Sequence, residues 1–246
     1  MREESIKKKG VSKEQVMDLL NSLYQKSIDG IQTISPPIDQ FANDYLNRES
    51  DPAKAAKSMI QHQIAKCATS GFLTGFGGVI TLPVSIPANI GSVLYVQMRM
   101  IACTAYLAGW DVHSDQVQTL IYACLAGVSV NSFFKQFGVK LGQKAANSLI
   151  KKIPGQALIK INQKIGFRFI TKFGQKGLVN LGKLVPGVGA IINGSLDFLE
   201  TRTIGNRAYQ MFFEGDFSTD AEEQDGAASP DFDDTAFVDV DFTEID

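Results

Sequence analysis

Before residue 214 the apolar residues recur at helical spacing, and no stretch of useful length alternates with period two. Val16, Leu19, Leu20, Leu23 and Tyr24 fall on one face and predict a helix over 12–29. Ser12 followed three residues later by Gln15 is a capping-box start. Ile34-Ser35-Pro36-Pro37 breaks the pattern, and a short helix over 38–47 ends before Ser50. Asp51-Pro52 then supplies an N-cap and a first-turn proline for a helix through Ala68.

The chain is organised around Cys67 to Met98, thirty-two consecutive positions without a charged side chain. About 20 apolar residues would span a bilayer. Here, however, Gly71, Gly75, Gly77, Gly78 and Gly91 interrupt the apolar surface, and Pro83 and Pro87 sit in the middle. Proline lacks an amide donor and disfavours a helical residue before it. The stretch therefore reads as two helical pieces joined at 81–87. Ser85 caps the second, which runs to about Ala108. Two readings stand side by side. One is a glycine-rich core hairpin. The other is a hairpin that dips into a membrane through Phe72, Phe76, Ile80, Leu82, Pro83, Ile86 and Pro87.

Ile90, Val93, Leu94, Met98, Ile101 and Ala105 form one apolar face, and Gly109 is a helix stop. Trp110 to Asp115 is a connector, with Ser114 as the next N-cap. Gln116 to Phe134 carries no charge and predicts a buried helix broken at Gly127. After a turn at Leu184–Ala190, a last apolar helix is expected to run to Phe213. These elements predict an all-α, glycine-rich, multi-helix domain with a buried apolar helical hairpin.

Charge changes this picture. From Glu214 to Asp246 there are thirteen acids and no base, whereas Met1–Phe213 carries +11. No acid occurs between Asp115 and Asp197, an interval that holds eleven bases from Lys135 to Lys183. Lys160, Lys164, Arg168, Lys172 and Lys176 repeat every fourth residue, so on a helix they drift by about 40° per step and share one broad side. Ile161, Ile165, Phe169 and Phe173 repeat beside them, while Gly166, Gly174 and Gly177 argue against one continuous helix. With Lys151 and Lys152, the row reads as a surface for an anionic partner. The chain then divides into an N-terminal helical extension (1–50), a helical domain (51–213) and an acidic tail (214–246) expected to be disordered. In that tail Phe232, Phe237 and Phe242 recur every five residues among acids. It either solubilises the chain or folds back on the basic row.

Candidate chemistry is sparse. Cys67, Cys103 and Cys124 lie far apart in apolar surroundings and match no zinc or redox spacing. MREESIKKKG is polar and is followed by no apolar signal segment. His62 has no carboxylate or cysteine pair near it in sequence, and His113 lies beside Asp111 and Asp115. Both read as structural. No hydrolase elbow, nucleotide loop or zinc-protease motif is present. No cofactor and no metal are expected.

The run from Gly71 through Pro87, followed by Gln97-Met98-Arg99, Ala105-Tyr106 and Gly109-Trp110-Asp111, resembles the EcsC protein family. So does a second block, Ile161 to Arg168 with Lys176-Gly177 and Asn180-Leu181, ending in Pro186, Gly187, Gly189, Asp197, Thr201, Ile204-Gly205 and Ala208. The resemblance covers about 55–213. It implies a bacterial protein related to the third product of an ABC-transporter operon linked to secretion. Some relatives carry a peptidase label, for which this chain shows no catalytic constellation.

The reading that follows is a non-enzymatic protein, cytoplasmic and peripheral at the inner face of the membrane. Its partner is anionic lipid or a membrane protein. The alternatives are a membrane-proximal hydrolase assembled from distant segments and a nucleic-acid-binding module using 135–183; nucleic acid is the disfavoured partner. Arg99 and Asp197 sit in apolar stretches, and a buried charge is costly unless paired. They are expected to pair, or to share one polar network with Gln97 or Thr201.

Overall fold

The computed structural model describes residues 12–68, 88–131, 153–173 and 200–217. Among the described residues the regular structure is helical, with a single β-bridge between Ile31 and Ser35. The helices are α1 (Lys13–Asp29), α2 (Ile38–Glu49), α3 (Pro52–Ala68), α4 (Ala88–Leu107), α5 (Asp115–Ala126), α6 (Gly155–Phe173) and α7 (200–209). A π-helical turn, Gln210–Glu214, closes α7. The sequence pattern gives no sign of that widened turn.

Local sequence accounts for the boundaries. The Ser12–Gln15 capping box forms with both bonds in place. The Asp51 side chain accepts from the Ala53 amide at the start of α3. Ser114 accepts from the Val117 amide at the start of α5. Gly109 ends the connector turn after α4 with positive φ, and Gly127 caps α5 in the left-handed region. The charge-free stretch 116–134 thus stops being α5 at Ala126, because the next residue, Gly127, takes a φ of +65°.

α4 is the central element. Every position from Gly91 to Ala105 is buried, and α1, α2, α3, α5 and the π turn all pack against it. A helix this rich in apolar residues all round is stable in water only when it is enclosed in this way. Among the described residues, no helix is long and apolar enough to cross a membrane. The hairpin residues Phe72, Phe76, Ile80, Leu82, Pro83, Ile86 and Pro87 lie outside the described residues, as do Ser85 and the acidic tail beyond Phe217.

One core joins all these helices, including Leu20 and Leu23 of α1 and Ala42 and Tyr45 of α2. α7 packs tightly at Gly205, where a Cβ would stand 2.6 Å from Ile60 Cγ2 of α3 and 3.4 Å from Met100 Sδ of α4. Contacts under 3.0 Å are not tolerated by real side chains, so glycine sets this helix spacing.

Candidate interaction face

Pro154 opens α6, its carbonyl accepting from the Ala157 and Leu158 amides. Ile153, Ala157, Ile161, Ile165 and Phe169 are buried, and α6 packs on α5 and α1. The helix runs through Gly166 without a break, because that glycine is buried towards Met17 of α1. Contrary to the expectation from its glycine, the helix is continuous at Gly166, from Gly155 to Phe173. Gly174 and Gly177 lie outside the described residues.

The opposite face exposes Gln156, Ile159, Lys160, Gln163, Lys164, Phe167 and Arg168. Ile159 is 58% exposed and Phe167 60%, far above Ile34 at 38%, the other exposed large apolar residue among those described. Two large apolar groups thus stand among the bases. The sequence reading named the bases and passed over these two. The signal was available: Ile159 and Phe167 fall out of phase with Ile161, Ile165 and Phe169, so one α-helix cannot bury both sets on one side.

The bases of the row are not equivalent. Lys160 and Lys164 are exposed. Arg168 reaches back, its Nε donating to the Ala126 carbonyl at 3.1 Å. Lys172 lies in α6 with its side chain outside the described residues, and Lys151, Lys152 and Lys176 fall outside them entirely.

The polar residues of α4 divide. Gln97 donates through Nε2 to Thr201 Oγ1 at 3.0 Å, both being buried. Arg99 is 3% exposed, and it donates from Nη1 to the Ser27 carbonyl at 2.9 Å and from Nη2 to the Pro36 carbonyl. Its guanidinium stacks over the Phe41 ring at 4.4 Å. Two residues apart on a helix means about 200° of rotation, so Gln97 turns towards α7 and Arg99 towards α1 and α2. Asp197 lies outside the described residues, and with it the expected Arg99–Asp197 pair.

The sequence reading also missed how cations gather where α2, α3 and α4 meet. Burial pulls the Arg99 guanidinium below its ordinary value, against the opposing influence of Tyr95. Burial lowers Lys66 as well, with the Arg99 charge adding to it. The His62 imidazole is lowered first by burial, then by Arg48 and Lys66. His62 Nδ1 and Gln63 Nε2 have no hydrogen-bond partner among the described residues.

Cys103 and Cys124 are poor nucleophiles, because burial pushes both thiols up to about 12. His113 lies in a local turn in which its amide donates to Asp111 Oδ1. Among the described residues no three His, Cys, Asp or Glu side chains converge as metal ligands would.

The fold and face define an all-α protein built on one enclosed helix, with a mixed basic and apolar outer face on α6. The chain belongs to the EcsC protein family, whose family model matches residues 38–213. The match begins earlier than the resemblance at about 55 and takes in α2, whose Ile38, Ala42 and Tyr45 are core residues. No curated protein and no solved structure matches the chain.

Proposed function

We propose that this protein is a non-enzymatic, peripheral membrane protein that binds anionic lipid at the inner, cytoplasmic face of a membrane through α6. The observation that carries the reading is the exposure of Ile159 and Phe167 among Lys160, Lys164 and Arg168 on the face opposite the buried one. Interfacial helices combine apolar side chains that enter the headgroup boundary with bases that meet anionic lipid.

The magnitudes fit reversible attachment. Each exposed apolar side chain offers about 100 Å² of surface, worth about 2–3 kcal/mol at 25 cal/mol per Å² removed from water. Each base near the surface adds about 1 kcal/mol. After the cost of immobilising the protein, the net is comparable to one acyl chain, with a binding constant of about 10⁴ M⁻¹.

Vesicle flotation of the full chain tests this. Binding to vesicles containing phosphatidylglycerol at 50 mM salt, with at least tenfold weaker binding to phosphatidylcholine alone, supports the reading. Equal indifference to both overturns it, and a protein partner then becomes the better account of the face.

A further inference from the structure

We propose that the acidic segment 218–246 is the resident occupant of the α6 face, docking across Ile159, Lys160, Lys164 and Phe167. The proposal rests on the reading of α6 as the contact face and adds its regulation: an anionic surface must displace the segment to bind.

The face calls for a partner that is both apolar and acidic. Ile159 and Phe167 are more than half exposed, with Lys160, Gln163 and Lys164 between them. Residues 218–246 supply that chemistry, with eleven acids and no base. Phe232, Phe237 and Phe242 recur among those acids, with Val238, Val240 and Ile245 beside them. The body through Phe217 has twenty-four bases against fifteen acids, a charge of +9, so the segment and the body are opposite in sign.

The point of exit favours the same match. Phe217 is buried, with its ring edge-on to Trp110. Its carbonyl accepts from the Val130 amide at 3.3 Å and from Ser129 Oγ at 3.4 Å. Four residues earlier in that strand of chain, the Ala126 carbonyl holds Arg168 of the row. Four residues span at most about 14 Å, so the segment leaves the body near the Arg168 end of α6. The fifteen residues from Phe217 to Phe232 can span up to about 50 Å, and Ile159 to Phe167 covers about 12 Å of helix. Reach is therefore no obstacle. A tether of this length gives an effective concentration in the millimolar range, so even a weak, salt-sensitive docking populates the bound state.

The test uses the full-length chain with one cysteine on the face and one in the segment, Gln163→Cys with Ala236→Cys. The three native thiols are buried, which shields them from the reagent. A control places the first cysteine on α2 as Asn47→Cys, an exposed position. Intramolecular bismaleimide cross-linking at least tenfold faster for 163–236 than for 47–236, slowed in 0.5 M NaCl, is the expected result. Equal rates overturn the docking.

A second full-length variant changes Asp231, Asp233, Asp234, Asp239 and Asp241 to Asn. It should bind phosphatidylglycerol vesicles about tenfold more tightly than the unchanged chain at 50 mM salt. Equal vesicle binding by the two overturns the displacement. Selective cross-linking in a chain that binds no vesicles, with or without those acids, upholds the docking and defeats the lipid reading alone.

Discussion

Arg168 and Arg207 grip the same helix end from two sides. Arg168 Nε donates to the Ala126 carbonyl at 3.1 Å from α6, and Arg207 Nη1 donates to the Cys124 carbonyl at 2.9 Å from α7. Both carbonyls belong to the last turn of α5, where the helix dipole is negative, and the Cys124 carbonyl also accepts from the Gly127 amide at 3.2 Å. Arg207 also fills the space beside Gly127, whose added Cβ would lie 3.2 Å from Nη1. Two arginines thus tie α6 and α7 to the end of α5.

The first prediction separates Arg168 from the rest of its row. Arg168→Gln should lower stability by about 1 kcal/mol, since it removes a charge-assisted bond from a partly screened site. Lys164→Gln should change stability by less than about 0.5 kcal/mol. Urea denaturation of the two variants measures both, and equal midpoints would show that the Ala126 contact contributes nothing.

The second concerns the tight packing at Gly205. Gly205→Ala places a methyl 2.6 Å from Ile60 Cγ2, so it should cost about 1–3 kcal/mol even though alanine is the better helix former. Ile60→Ala removes the Cγ2 that this methyl meets, so the double variant should cost less than the sum of the two single costs. Additive costs in the double variant would remove the steric explanation.

The all-α class, the three N-caps at Ser12, Asp51 and Ser114, and the stop at Gly127 were legible because each depends on residues within one turn of it. The destination of Arg99 was not. A lone arginine in an apolar helix suggests a carboxylate partner, yet its described bonds go to the Ser27 and Pro36 carbonyls, exposed as acceptors by the end of α1 and the turn after it. No side-chain code marks a backbone acceptor 72 or 63 residues away. Half of the α6 face was legible for the same reason: charge stands out in a sequence, whereas an exposed Ile or Phe looks like core until the helix phase is checked against its neighbours.

A third prediction follows from His62. Its imidazole is held below 6.5 in the folded protein, so as pH falls the unfolded chain takes up the proton first. The contribution of neutral His62 is intact above about pH 6.5 and is lost progressively below it. The melting temperature should therefore drop between pH 7.5 and 5.5, and His62→Gln should flatten that drop. A drop of the same size in the variant would assign the pH dependence to other groups.

The last prediction uses neighbours on α6 that face opposite ways. Phe167 is 60% exposed and Phe169 4%, although only one residue lies between them. Phe169→Ser should destabilise the fold by about 3–5 kcal/mol, as removal of a buried ring does. Ile159→Ser with Phe167→Ser should leave helicity and the melting temperature within a degree or two, because neither side chain is in the core. That same double variant should bind anionic vesicles at least tenfold more weakly at both 50 mM and 300 mM salt, since apolar burial is little affected by screening. Lys160→Gln with Lys164→Gln should weaken binding strongly at 50 mM salt and little at 300 mM, where the Debye length has fallen below about 8 Å. The two salt profiles must differ if the face combines both kinds of contact. Identical profiles would mean that Ile159 and Phe167 stay out of the lipid and that the bases alone hold the protein at the surface.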